Sequence, residues 1–129
     1  MHNILLDSDV IIEILRGNEE VMEEVINLGK SGCDVLYTPV SKAEIYQGIR
    51  EGETGKTEAL FSDYRSVPVT DDIGEKAGHY LRQFHKNYGM DIADALIAAA
   101  AFVSNADLFT FNHKQFPMKD LKLHRLKLT

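Results

Sequence analysis

Short apolar runs of strand length alternate with longer stretches of helical period along nearly the whole chain. "NILLD" (3–7) has the form of a buried strand, followed by a helical pattern from Asp9 to Arg16 closed by Gly17 and another from Glu19 to Leu28 closed by Gly29. "CDVLYT" (33–38) is a second strand, ended by Pro39. Helical patterns return at Ser41 to about Arg50, about Thr54 to Tyr64, and Asp71 to about Lys86, with "SVPV" (66–69) as a short strand before the last of them. "DIADALIAAAAFVSN" (91–105) has almost no polar residue after Asp94, so it is a helix buried on most sides. "DLFTF" (107–111) is a further strand, and "LKLHRLKL" (121–128) alternates apolar and basic residues as a half-exposed edge strand does. Regular alternation of strand and helix points to a parallel sheet with helices on both faces. The expected fold is therefore α/β, a three-layer α/β/α sandwich around a mainly parallel sheet.

No repeat, low-complexity segment or linker divides the 129 residues, which is the size of one domain able to bury a core without disulfides. Cys33 is the only cysteine and fits a small buried residue in a reducing compartment. No apolar run approaches the ~20 residues of a membrane span, and a carboxylate interrupts the first apolar run too early for a signal peptide, so a cytoplasmic location is expected. The formal charge of -6 argues against a general affinity for nucleic acid. That charge is segregated: residues 110–129 carry Lys114, Lys119, Lys122, Arg125 and Lys127 against Asp120, leaving -10 for residues 1–109. The tail is either a basic edge for a polyanion or a solubilising strand.

In parallel sheets ligands sit beyond the carboxyl ends of the strands. Asp7 lies at the end of the first strand, Glu44 in the first turn of the helix after the second, Asp94 in the first turn of the buried helix, and Asn112 just past the strand at 107–111. Separated by 37, 50 and 18 residues, these four converge only if the fold gathers those strand ends. Three carboxylates and an amide oxygen form an all-oxygen donor set, suited to Mg²⁺ or Mn²⁺ and not to Zn²⁺. Crowded carboxylates repel one another by on the order of 1 kcal/mol per pair in solvent-like surroundings, and a divalent cation removes that cost.

Each residue also has a structural role open to it. "SKAE" (41–44) is a capping box in which Glu44 would only satisfy the backbone of its own helix, and either acid of "DIAD" (91–94) could cap the buried helix. Asn112 could be a turn residue. Asp9 is a good N-cap for the first helix, which leaves Asp7 without a helix to start and in need of a partner. His79, His85, His113 and His124 are expected at the surface, with His113 and Lys114 close enough to the site to touch phosphate.

"LLDSDVIIEILRG" (5–17), "SKAEIYQGI" (41–49), "DALIAAAA" (94–101) and "FTFNHKQF" (109–116) resemble, in order and spacing, the four motifs of PIN-domain ribonucleases, and most of all the VapC-type toxins. The resemblance implies a single PIN domain over 1–129 in which Asp7, Glu44 and Asp94 hold the family's acidic positions. Asn112 stands where many relatives have Asp. It further implies Asp7 and Asp94 as metal ligands, Glu44 positioning water or substrate, Mg²⁺ or Mn²⁺ as cofactor, and in-line hydrolysis of RNA to a 5′ phosphate. A homodimer and neutralisation by a cognate antitoxin protein belong to the same implication. "ILLDSDV" also matches the opening of haloacid-dehalogenase-like phosphatases, with Asp7 as nucleophile and Asp9 as general acid, but the acidic pair in "VTDDIGEK" (69–76) lies mid-chain rather than near the end of the core. A non-catalytic PIN-like RNA-binding module is the third alternative.

Overall fold

In a computed structural model, which describes residues 2–126, five parallel strands form one sheet in the order β3-β2-β1-β4-β5. The strands are β1 (Asn3–Leu6), β2 (Asp34–Tyr37), β3 (Arg65–Ser66), β4 (Ala106–Phe109) and β5 (Leu123–His124). The helices are α1 (Ser8–Leu15), α2 (Glu19–Lys30), α3 (Pro39–Gly48), α4 (Thr54–Asp63), α5 (Asp71–Tyr88) and α6 (Ile92–Val103), with a 3-10 turn at His113–Gln115. The three-layer α/β/α architecture expected from the sequence is present.

Successive residues of a strand face opposite sides of the sheet, and the central strands are apolar on both. Ile4, Leu6, Tyr37 and Phe109 pack with Val10 and Ile11 of α1, Val21 and Val25 of α2, Ile45 of α3, and Leu60 and Phe61 of α4. Leu5, Leu36 and Leu108 face the other layer, where Ile73, Ala77 and Tyr80 of α5 meet α6. Ile97 to Ala101 are at most 1% exposed, so α6 is enclosed as its composition requires, and its alanines leave room for α5 and the sheet to approach.

Several boundaries differ from the sequence expectation, each for a local reason. β1 ends at Leu6, and Asp7, in extended backbone, accepts from the Ser8 amide and caps α1; Asp9 lies inside the first turn. Thr38 rather than Ser41 caps α3, because Pro39 at the first helical position needs no amide partner and its φ suits a helix start. Glu44 is thereby moved out of the first turn, and the capping box is not formed. The third strand is Arg65–Ser66 and not 66–69. At the far edge only Leu123–His124 pairs, against Leu108–Phe109, although alternation was expected over 121–128; residues 127 and 128 lie outside the described residues. His124 is held there by a 2.6 Å contact from Nε2 to Glu24 Oε2.

Candidate active site

β2 and β4 flank β1 on opposite sides, and β1 is where the strand order reverses, so a crevice opens beyond the carboxyl ends of β1 and β4. Asp7 stands at its floor, only 7% exposed. Its Oδ1 accepts from the Ser8 amide at 2.8 Å and its Oδ2 from Thr110 Oγ1 at 2.8 Å, while its own amide donates to Phe109 O at 2.9 Å. Burial raises the Asp7 carboxyl to about 7, with the charges of Asp9 and Asp94 adding to the rise and the bonds from Thr110 and Ser8 opposing it.

Asp91 caps α6 through its Oδ1, which accepts from the Asp94 amide at 2.8 Å, and this frees the Asp94 carboxyl from that task. Asp94 is raised to about 6 by burial first, then by Asp91, with Glu44 adding a smaller push. Glu44 is exposed, and its Oε1 accepts from Ser8 Oγ at 2.6 Å; Ser8 Oγ also lies 3.0 Å from Ser41 Oγ. Asp7, Glu44 and Asp94 thus stand at one edge, with the charge of Asp94 felt at Asp7 and that of Glu44 at Asp94. Asn112 occupies the same edge past β4, but its side chain is exposed and makes no hydrogen bond among the described residues; only its amide is engaged, donating to Thr110 Oγ1 at 3.0 Å.

Three residues gain a part that sequence reasoning did not assign. Thr110, fully buried, donates to Asp7 and lies 3.5 Å from Asp9 Oδ2. Asp9, read as a cap, instead reaches across to the segment after β4, where its Oδ2 accepts from the Phe111 amide at 3.0 Å. Ser8 fixes Glu44. The available signal was a hydroxyl residue at the carboxyl end of an apolar strand in "FTFN" and another between the acids of "LDSD". Thr110→Val keeps the side-chain shape and removes the donor. It is expected to destabilise the fold by about 1–2 kcal/mol and to raise the Asp7 carboxyl further, read by urea unfolding at pH 8 and by NMR titration. Unchanged stability and titration would assign the bond no weight.

The donor chemistry suits a hard divalent cation. Among the described residues Asp9 Oδ1 is buried with no hydrogen-bond partner, and two carboxyls nearby are raised by burial and crowding, a condition a cation relieves. Among the described residues no three His, Cys, Asp or Glu side chains already converge as a ligand set. An ion that keeps several of its waters and takes one or two carboxylates, as Mg²⁺ does, matches that arrangement better than one needing a closed protein cage.

Fold and edge together define an α/β/α domain with an acidic site at the topological switch point. The chain belongs to the PIN-domain family, whose profile matches residues 4–120. It is 34% identical over 115 residues to ribonuclease VapC19 of Mycobacterium tuberculosis, covering 88% of this chain and 92% of that protein. It is also 34% identical over 116 residues to ribonuclease VapC10 of the same organism, covering 89% and 86%. Its fold superposes on VapBC2 from Rickettsia felis, bound to a DNA fragment from their promoter, with a TM-score of 0.83 at 20% identity over 96% of this chain and 98% of that one. VapBC-1 from nontypeable Haemophilus influenzae gives 0.80 at 21% identity over 95% and 97%. The haloacid-dehalogenase alternative is set aside by membership of the PIN-domain family.

Proposed function

We propose that this chain is a divalent-metal-dependent endoribonuclease, the toxin of a VapBC-type toxin–antitoxin pair, acting as a single domain in the cytoplasm. The observation that supports this most is the placing of two buried, charge-coupled carboxyls, Asp7 and Asp94, at the switch edge of a chain that is 34% identical, over nearly its whole length, to two VapC ribonucleases. Asp7 and Asp94 would hold Mg²⁺ or Mn²⁺. The ion, when bound, supplies positive charge against the charge building on the phosphate and acidifies the attacking water. Ser8 holds the Glu44 carboxylate at the rim, where it would orient a water for in-line attack and take up its proton as the bond from phosphorus to the 3′ oxygen breaks. That oxygen leaves as a hydroxyl with a proton from solvent, and the 5′ phosphate stays on the other product. Thr110 keeps the Asp7 oxygens aimed. Asn112 offers an uncommitted amide at the same rim to water or to a phosphate oxygen.

The test is cleavage of an RNA panel in Mg²⁺, Mn²⁺ and EDTA. Cutting should require the ion, and Glu44→Gln should lower kcat by roughly 100- to 10,000-fold, the range expected of a lost proton acceptor. Expression of the chain alone should arrest growth of a bacterial host, and Glu44→Gln should relieve the arrest. RNA binding without cleavage in Mn²⁺ would leave only a binding module. The homodimer and the antitoxin partner belong to the same proposal; a monomeric mass by light scattering at micromolar concentration would remove the former.

A further inference from the structure

Glu44 forms one wall of a second space. A cleft of about 300 Å³ opens between α1, α3 and α4, walled by Ile12 and Leu15 on one side and Ile45 and Ile49 on the other. Arg16, Arg50 and Lys56 also line it. They are a third of the nine cations among residues 1–109, a stretch with a charge of -10, so their grouping in one cleft is a local reversal of the chain's charge. Their commitments differ. The exposed Arg16 pairs with the half-buried Glu13 at 3.4 Å, and Lys56 donates to Leu15 O at 2.9 Å while lying 3.7 Å from Glu53. The Glu53 carboxylate also accepts from the Arg50 amide at 2.6 Å, fixing the turn between α3 and α4. The Arg50 guanidinium is exposed and forms no ion pair among the described residues.

Resting on the ribonuclease reading above, we infer that this cleft is the subsite for one unpaired nucleotide beside the scissile phosphate, its base against the four aliphatic walls and its phosphate on Arg50. Glu44 lines the cleft and is bonded to Ser8 beside Asp7, so the nucleotide in the cleft neighbours the acidic edge. The volume lies at the lower end of the ~300–1,000 Å³ of small-molecule sites, enough for one unstacked nucleotide and too little for a duplex. Apolar walls with a cationic rim complement a base and its phosphate. The walls carry no aromatic ring, so the base is held by burial rather than stacking, and discrimination between bases at this position is weak. On the other side of β1, His113 and Lys114 follow β4, with Arg125 Nη1 2.7 Å from His113 Nδ1. Cations therefore flank the acidic edge on both sides, and a single strand crossing it meets positive charge before and after the carboxylates.

Two variants separate charge from shape. Arg50→Ala removes the phosphate partner at an exposed position. Gly48→Leu fills the cleft, because a Cβ at Gly48 meets no atom within 4 Å and the residue already ends α3. Steady-state cleavage of an RNA oligonucleotide cut by the wild type, and fluorescence anisotropy of the same oligonucleotide with Asp7→Asn protein, are measured across a salt series. Arg50→Ala should raise KM and Kd roughly five- to tenfold with kcat nearly constant, and should shallow the slope of log Kd against log salt by about 0.7, one single-strand phosphate contact. Gly48→Leu should raise both constants by a similar factor without changing the slope. The oligonucleotide annealed to its complement should bind at least tenfold more weakly. A wild type that cuts RNA while both variants keep its KM, Kd and salt slope overturns the subsite alone, and assigns the cleft to another occupant such as a peptide. A wild type that cuts no RNA overturns the ribonuclease reading and the subsite with it.

Discussion

Asp7→Asn is expected to lower RNA cleavage at least a hundredfold and, in the same metal-free protein at pH 8, to raise the melting temperature. A variant that loses function and gains stability is what a buried, crowded carboxylate predicts. Asp7 titrates at about 7 in the fold against an unperturbed 3.8, so at pH 8 the folded protein bears the full cost of an ionised buried group. A shift of that size corresponds to on the order of 4 kcal/mol, of which the amide recovers a large part. For a domain of this length the gain amounts to roughly 5–10 °C. Asn keeps the local structure: it is as good an N-cap for α1 as Asp, and its amide can donate to Thr110 Oγ1 in place of the present bond. What it loses is the negative charge that a divalent ion needs. Wild-type cleavage by the variant, or a lower melting temperature in EDTA, would count against Asp7 as the centre of the site.

The second large effect is linkage between protons, cation and stability. Asp7 at about 7 and Asp94 at about 6 both lie above the 3.8 of an unperturbed Asp, so between those values the folded state binds more protons than the unfolded chain. Their protonated forms contribute stability that is fully present below about pH 4 and is lost as the pH rises through 6 and 7. The metal-free protein should therefore melt at a lower temperature at pH 8 than at pH 5.5, with Asp7 carrying most of the difference, because Asp94 is partly exposed and its charge better screened. A cation competes with those protons. Millimolar Mg²⁺ should raise the melting temperature more at pH 8 than at pH 5.5, by the mass-action stabilisation of a ligand bound only to the folded state, about 2.7 kcal/mol at a hundred times its Kd. Scanning fluorimetry at the two pH values, in EDTA and in Mg²⁺, supplies the four numbers. A Mg²⁺ shift that ignores pH would mean that the ion and the protons do not share Asp7 and Asp94.

Much of this architecture is legible in the order of residues alone. Apolar runs of strand length separated by helical patterns point to a parallel sheet, and a parallel sheet puts its strand ends on one edge, so the neighbourhood of Asp7, Glu44 and Asp94 follows without coordinates. The enclosure of α6 is equally plain, since Ala95 to Ala101 offers no polar face.

Tertiary structure decided the finer chemistry, because it turns on competition between equivalent residues and on burial. Asp7 and Asp9 both make good caps; the choice falls to Asp7 because β1 pairs with β4 through Leu6 and Phe109 and the Asp7 amide then donates to Phe109 O, which fixes where the strand stops and the helix starts. Thr38 prevails over Ser41 because the buried end of β2 delivers it directly to Pro39. Thr110 is 103 residues from Asp7, and no local pattern announces their bond; it exists because β1 and β4 are neighbours in the sheet. The raised carboxyls are likewise a property of the assembled edge. Charge type and order are written in the chain, whereas desolvation and repulsion arise only once distant carboxylates are brought together and water is removed from around them.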